Sequence, residues 1–178
     1  MKKYLFFGVM GLLFSCGKSS SGPSSGNGKG NSNWSLSNYT YQRGASSQNP
    51  GGNFVSMAVS TSGNGGNYGA YSGSSLTILF NNLGPGKYTL ASEDTLVKYL
   101  GTKFITIDCT VGIAVNTGAV MYSTTGQLPS ATVDVSKDPD GKYHVTIKDS
   151  VTLIKNIVTG GGIPGAASSY KLEINNAF

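Results

Sequence analysis

Apolar and polar residues alternate along most of the chain after Trp34, and this pattern limits the fold more than any other feature. In Thr132–Ser136 and Tyr143–Lys148 every second residue is valine, isoleucine or tyrosine, the alternation of a half-buried strand. The intervening Asp138-Pro139-Asp140-Gly141 favours a tight turn. Comparable runs recur about every 8–14 residues. We therefore predict one all-β domain over residues 34–178, a mostly antiparallel β-sandwich or small barrel of about nine to ten strands.

Composition supports a β-rich chain and leaves room for at most one short helix. Glycine accounts for 26 of 178 residues and charged residues for 12%, which excludes charge-driven disorder and disfavours a helical bundle. Glu93–Leu100 is the helical candidate, because Leu96, Val97 and Leu100 fall at helical spacing. Two acids occupy its first turn, and Gly101 follows as a C-cap.

The first sixteen residues have the pattern of an export signal. Lys2 and Lys3 precede the apolar run Tyr4–Phe14, which is shorter than the roughly 20 residues that a membrane-spanning helix needs. The run closes with Leu13-Phe14-Ser15-Cys16. This sequence resembles the lipobox of bacterial lipoproteins, with a branched apolar residue three positions before the cysteine and a small residue just before it.

The resemblance implies a defined processing route. Residues 1–15 would be a signal peptide, and Cys16 would carry a diacylglycerol on its thiol and an acyl chain on its amine. Several acyl chains at one residue anchor a protein stably, whereas one chain binds reversibly. We expect no other cofactor and a membrane partnership through this lipid. An uncleaved anchor, or an ordinary secretory signal with a chance cysteine, is the alternative.

Residues 16–33 contain the lipidated cysteine and a tether. After Cys16 the chain reads GKSSSGPSSGNGKGNSN, a composition typical of a flexible linker with an r.m.s. span of about 23 Å. No aspartate follows Cys16 directly, which in enterobacterial lipoproteins favours the outer membrane. The Ser-Cys box and this tether resemble small envelope lipoproteins of Bacteroidota. Because Lys18 is followed by serines rather than acids, the periplasmic face and the cell surface both stay open.

Charge argues against nucleic acid as a partner. Removing Lys2 and Lys3 with the signal lowers the Lys and Arg total from 13 to 11, against 8 acidic residues, so the mature chain carries about +3. The remaining lysines form no cluster, and nucleic-acid binding needs a basic patch.

Residues that could carry catalysis have simpler interpretations. Cys109 occupies alternate positions with Ile105 and Ile107 and so lies on the same face of a predicted strand, which predicts a buried thiol. His144, the single histidine, alternates with Val145 and is predicted to face solvent. The adjacent acids Glu93 and Asp94 complement a helix start. The Asp138–Gly141 segment lacks the calcium-loop pattern, because lysine occupies its fifth position. We therefore predict no metal, no catalytic residues and no enzyme activity.

Thr61–Ser75 (TSGNGGNYGAYSGSS) is the most unusual segment and carries the predicted function. It reads as a long glycine-rich loop whose Tyr68 and Tyr71 have no core to enter. Tyrosines in such loops supply rigid amphipathic contact area. We predict a non-catalytic binding or structural envelope module that contacts a glycan, a peptide or an envelope protein through these rings. The alternatives are a lipocalin-like carrier of a small apolar ligand and, less favoured, a glycan-degrading enzyme.

Overall fold

The structure is a computed structural model and describes residues 32–61, 68–113, 118–124 and 131–178. Strands dominate this part of the chain, and the all-β prediction with one short helix is confirmed. The elements, in chain order, are β1 (Asn33–Leu36), β2 (Tyr39–Gly51), β3 (Phe54–Thr61), a 3-10 turn (Gly69–Tyr71), β4 (Ser74–Asn81), β5 (Gly86–Leu90), α1 (Glu93–Lys98), β6 (Phe104–Ile113), β7 (Gly118–Ser123), β8 (Thr132–Lys137), β9 (Tyr143–Thr159) and β10 (Ser169–Ala177).

The strands pair into a ring. Antiparallel pairing runs from β1 through β2, β3, β4, β6, β7, β9 and β10, and β10 pairs with β1 again. Strands β5 and β8 form a side branch: β5 pairs with β6 in parallel, and β8 lies between β5 and β9. A closed circuit leaves few exposed strand edges, which limits aggregation through unpaired backbone groups.

Where β1 and β10 end, a side chain continues the ring. Gln48 of β2 accepts a hydrogen bond from the Tyr143 backbone amide at 2.9 Å. Its amide nitrogen donates to the Tyr143 carbonyl at 2.5 Å. Gln48 thus takes the place of a peptide group and joins β2 to β9 across the gap.

Alternate side chains from all ten strands form a single core, as period-two burial requires. Trp34 is fully buried. Burying each such side chain stabilises the fold by roughly 1.5–3 kcal/mol. The largest fully buried side chains are Trp34, Tyr41, Tyr88, Tyr122, Phe80, Leu36, Met57, Leu76, Ile78, Leu96, Ile105 and Ile107.

Helix α1 forms where the sequence predicts it and ends at Lys98, two residues before the predicted Leu100. Ser92 is its N-cap, and the Ser92 hydroxyl accepts a hydrogen bond from the Thr95 amide at 3.3 Å. Leu96 is buried against the sheet. This single buried position explains why the helix is short, because one apolar residue anchors little more than one turn.

The predicted hairpin over residues 132–148 is confirmed, with β8 and β9 joined by the Asp138–Gly141 turn. The Asp138 carboxylate accepts a hydrogen bond from the Lys142 amide at 2.7 Å and closes the turn. Strand β9 continues beyond Lys148, runs unbroken to Thr159, and changes its antiparallel partner from β8 to β7 along its length.

The two ends of the ring differ in what they carry. One end, called the entry end, holds the β2–β3 turn at Gly52-Asn53 and the chain between β4 and β6, including α1. The opposite end, called the far end, holds the β1–β2 turn and the connections β3–β4, β6–β7 and β9–β10. In the described parts of the chain, no helix is long and apolar enough to cross a membrane.

Candidate binding surface

Four tyrosines from three separate segments meet at the far end of the ring. Tyr39 is the first residue of β2, and Tyr170 lies near the start of β10. Tyr68 directly precedes the 3-10 turn, and Tyr71 is its last residue. These four residues are called the tyrosine cluster. The chain folds in this way because Gly69 adopts a φ of +57°. That left-handed conformation costs a glycine little, and it lets the segment turn back over the sheet.

The rings of the tyrosine cluster pack in defined orientations. Tyr39 and Tyr71 stack with centroids 4.3 Å apart and planes 4° from parallel. Tyr68 meets the Tyr39 ring edge-on at 5.3 Å, and Tyr170 meets the same ring edge-on at 6.4 Å. Offset-stacked and edge-to-face contacts are the preferred aromatic arrangements, each adding about 0.5–1.5 kcal/mol beyond area burial. The cluster is therefore rigid.

The expectation that Tyr71 lies free of the core is wrong. Its side chain is only 9% exposed and belongs to the main core cluster. The Tyr71 carbonyl accepts a hydrogen bond from the Tyr41 hydroxyl at 2.9 Å, and its own hydroxyl lies 3.2 Å from that of Tyr170. Burial raises the pKa of Tyr71 well above its usual range. Tyr71 supports the surface, and a ligand would reach little of it.

Tyr68 keeps the exposure that a contact residue needs. It is half-buried, it packs edge-on against Tyr39 and Tyr41, and its hydroxyl accepts a hydrogen bond from the Thr40 amide at 3.4 Å. Tyr39 and Tyr170 are also half-buried. Sequence reasoning missed these two rings. Their positions within alternating strand runs gave no signal that they lie at the rim of the ring rather than in its middle.

A second layer of aromatic side chains holds the tyrosine cluster from below. Trp34 stacks on Tyr41 at 5.7 Å, and the Trp34 indole nitrogen donates to the Ser74 hydroxyl at 3.0 Å. Tyr122 packs against Tyr170 at 4.9 Å, and its hydroxyl donates to a loop carbonyl. Burial raises the pKa values of both Tyr41 and Tyr122, so these hydroxyls stay protonated as hydrogen-bond donors.

Cys109 is buried, as its strand parity predicts. Its sulfur lies 3.6 Å from the Ser74 hydroxyl. Burial raises the pKa of the Cys109 thiol to about 12. Because the thiolate is the reactive form, this cysteine is a small core side chain without nucleophilic character.

His144 does not face solvent as the alternation suggested. Its ring Nδ1 lies 3.0 Å from the Phe178 carbonyl oxygen, and Nε2 lies 3.2 Å from the Asp138 carboxylate. Its side chain is 21% exposed. The C-terminal end of β10 covers it, a long-range contact that strand parity cannot show. His144 joins the β8–β9 turn to the end of the chain.

Acidic residues do not gather around a cleft in the described residues. Glu93 and Asp94 are exposed at the start of α1. A groove of about 300 Å³ lies where β9 bulges away from β10, and Glu173 is the one carboxylate among its lining residues. No group of three or more His, Cys, Asp or Glu side chains in the described ranges could hold a metal ion.

Cys16 and the segments predicted as signal peptide and tether lie outside the described residues, except for Ser32 and Asn33 at the start of the ring. Comparison with known proteins adds no assignment for the rest of the chain. No protein family, no curated protein and no solved structure was found to match it.

Proposed function

We propose that the protein is a lipid-anchored envelope lipoprotein whose β domain binds a ligand without catalysis, through the exposed parts of Tyr39, Tyr68 and Tyr170. The observation that carries the proposal is the far-end surface itself. The half-buried Tyr39 ring stacks on the buried Tyr71 ring and meets the half-buried Tyr68 and Tyr170 rings edge-on, and Tyr170 also meets Tyr71 edge-on. Surface tyrosines are usually scattered, whereas these come from three separate segments to one place.

The chemistry of this surface suits a glycan or an extended peptide. A tyrosine ring offers an apolar face for the C–H groups of a sugar or a side chain, and its hydroxyl offers a donor and an acceptor. Because the rings are already packed, binding would immobilise few side chains and cost little conformational entropy. A partner protein of the envelope that presents either chemistry fits the same proposal.

The interior of the ring gives less support to the lipocalin-like alternative. An eight-stranded ring can either fill its interior with side chains or hold one small ligand. Here Trp34, Tyr41, Phe80, Tyr88 and Tyr122 all point inward and are fully buried. These large side chains take up the space that a carrier would leave for its ligand.

The enzyme alternative also has little support. Glycoside hydrolysis uses two carboxylates about 5–9.5 Å apart across a cleft. The groove beside β10 has one carboxylate, that of Glu173. Asp108 is half-buried on β6, and burial raises its pKa. A second acid, Glu93, influences it from α1, but neither Asp108 nor Glu93 lines the groove.

Anchoring is tested at Cys16. The lipobox resemblance predicts that the wild-type chain is labelled by a fatty-acid probe such as alkyne-palmitate, is cleaved before Cys16, and fractionates with the outer membrane. Cys16→Ala should lose the label and accumulate as an uncleaved precursor. A Cys16→Ala variant that keeps the label, or that is processed normally, would contradict the lipoprotein assignment.

Ligand binding is tested at Tyr68. We expect Tyr68→Ala to weaken retention on a glycan array or on immobilised envelope peptides by about thirtyfold, as loss of a hot-spot tyrosine costs about 2 kcal/mol or more. The matched control is Ile157→Ala, which truncates a side chain 50% exposed at the same end of the ring and outside the cluster. Equal loss of binding in both variants, or no loss in either, would contradict the proposed surface.

A further inference from the structure

The large exposed apolar side chains in the described residues fall into two groups at opposite ends of the ring. The far-end group lies along the second half of β9. The entry-end group lies at the end of α1, in the turn that follows it, and in the nearby β4–β5 turn. The members are Ile154, Ile157 and Val158 at the far end, and Leu83, Val97, Tyr99 and Leu100 at the entry end. The entry-end group is called the entry patch.

The entry patch is held together by one buried side chain. The Asn81 amide nitrogen donates to the Tyr99 carbonyl at 2.9 Å and to the Thr102 carbonyl at 2.6 Å. Since Asn81 ends β4, these bonds tie the turn after α1 to the turn that contains Leu83. The Tyr99 ring also packs against Phe104 at 6.3 Å. The patch is thus fixed in place although its side chains are 40–51% exposed.

Lysines accompany the apolar side chains of the entry patch. The Lys98 ammonium lies 5.2 Å from the centre of the Tyr99 ring. Lys103 donates to the Pro85 carbonyl at 2.6 Å and lies over the Tyr88 ring. Two nearby acids, Glu93 and Asp94, lie at the opposite end of α1. A third, Asp134, forms an ion pair with Lys87.

This combination matches a membrane interface better than a protein partner. Tyrosine and lysine are enriched where proteins meet lipid headgroups, because both have an apolar body and a polar tip. Aliphatic side chains beside them can enter the headgroup region, and lysine ammonium groups attract anionic lipid phosphates. The entry patch itself contains no carboxylate that a basic protein partner could bind.

The position of the patch relative to the anchor favours the same partner. Strand β1 runs in the direction from the entry end toward the far end, and its first residue, Asn33, lies beside Gln42 of β2. Between the proposed lipid on Cys16 and the first described residue, Ser32, lie fifteen residues. Fifteen residues of any conformation span at most about 50 Å. A domain held this close to a bilayer meets it repeatedly, at a high effective concentration.

We propose that the entry patch docks on the phospholipid surface to which the chain is anchored. Leu83, Val97 and Leu100 enter the headgroup region while Lys98 contacts lipid phosphates. Docking orients the ring so that the tyrosine cluster points away from the membrane. This inference rests on the lipid anchor of the proposed function, and it goes beyond it by assigning a second, non-covalent membrane contact and an orientation.

The test uses the full-length lipidated protein in vesicles of phosphatidylethanolamine and phosphatidylglycerol. An environment-sensitive fluorophore is attached to Leu100→Cys or, as a matched control, to Ile157→Cys; Cys109 is buried and Cys16 is acylated, so neither competes. We expect the probe at position 100 to be blue-shifted and quenched several-fold by lipids that carry a quencher. The probe at position 157 should behave as it does in water.

The possible outcomes separate this inference from the proposed function. A protein that does not float with the vesicles lacks the anchor, which contradicts both. A protein that floats while its position-100 probe stays in water keeps the anchor and overturns the docking. Equal quenching at both positions overturns the orientation. A blue shift without vesicles that grows with protein concentration would assign the patch to a second copy of the chain and overturn the lipid assignment.

A charge variant gives an independent readout. Lys98→Glu replaces an exposed lysine at the end of α1 and should reduce quenching of the position-100 probe in the anionic vesicles. In vesicles of phosphatidylcholine alone, Lys98→Glu and the wild type should be quenched alike. Unchanged quenching by the anionic vesicles would contradict the role given to Lys98.

Discussion

Replacement of Tyr71 by alanine distinguishes a core tyrosine from a ligand contact. The Tyr71 ring is 9% exposed and stacks face to face on Tyr39. Removing a buried aromatic side chain costs about 3–5 kcal/mol of unfolding free energy, because the transfer free energy is lost and a cavity is left behind. The hydrogen bond from the Tyr41 hydroxyl goes to the Tyr71 main chain, so it survives the change. The expected loss therefore comes from packing.

Two companion variants divide this loss into its parts. Tyr71→Phe keeps the ring and removes only the hydroxyl contact with Tyr170, and should cost about 1 kcal/mol. Tyr68→Ala removes a half-buried ring at the rim and should cost about 1 kcal/mol as well, well below the loss at Tyr71. Urea unfolding followed by circular dichroism measures the unfolding free energies of all three variants. In a domain of this size, each 1 kcal/mol corresponds to about 3 °C in Tm.

The order of the three variants is the decisive result. Tyr71→Ala should lower Tm by about 9–15 °C, and the other two by only a few degrees. If Tyr71→Ala left Tm within about 2 °C of the wild type, the ring would contribute within the range of a surface residue. The packing of the 3-10 turn onto Tyr39, and with it the rigidity of the binding surface, would then be refuted.

Three further changes probe other parts of the fold. Cys109 should resist alkylation in the native protein at pH 8 and react in urea, and Cys109→Ser should cost only about 1 kcal/mol because the Ser74 hydroxyl can pair with the new one. Ser92→Ala should lower the unfolding free energy by about 1 kcal/mol through loss of the α1 cap; an unchanged urea midpoint would mean that the cap is not used. The Lys142 amide and His144 lower the pKa of Asp138 in the folded protein below its ordinary value of 3.8. The Asp138 carboxylate therefore stabilises the fold above pH 3.8, and this stabilisation is lost as the pH falls through the lower pKa of the folded protein. In Asp138→Asn, urea midpoints measured from about pH 2 to pH 7 should vary less with pH on the acid side, and an unchanged acid limb would contradict the turn contacts.

Local sequence patterns were sufficient for the strands, the hairpin and the helix. Whether a side chain faces the core is decided by the parity of its own strand, so the burial of Ile105, Ile107 and Cys109 could be predicted from a single run of residues. The N-cap and acids of α1 act within one turn, and the Asp138–Gly141 turn is closed by contacts between neighbours in sequence. Each of these features depends on residues a few positions apart.

The features that sequence reasoning missed depend on distant partners. The polar residues Lys148-Asp149-Ser150 form a bulge in β9 where the pairing with β10 shifts register, and this bulge depends on the partner strand. The burial of His144 depends on Phe178, and the link between β2 and β9 depends on Gln48 reaching Tyr143. No pattern within a strand specifies which strand lies beside it, so contacts of this kind cannot be predicted until the arrangement of the strands is known.

The tyrosine cluster shows why the predicted loop was only partly correct. Tyr68 and Tyr71 lie outside any alternating run, so alternation does not assign their rings to either face of a strand, and the glycines around them suggest exposure. The buried end of the ring offers the Tyr71 side chain a stacking partner in Tyr39 and a hydrogen-bond partner for its hydroxyl in Tyr170, which lowers the cost of burying a polar side chain. The accessible surface is then shared among β2, the 3-10 turn and β10. Residues 61–75 moved alone to another scaffold would lose the Tyr39 and Tyr170 rings, and the proposed ligand should not bind there.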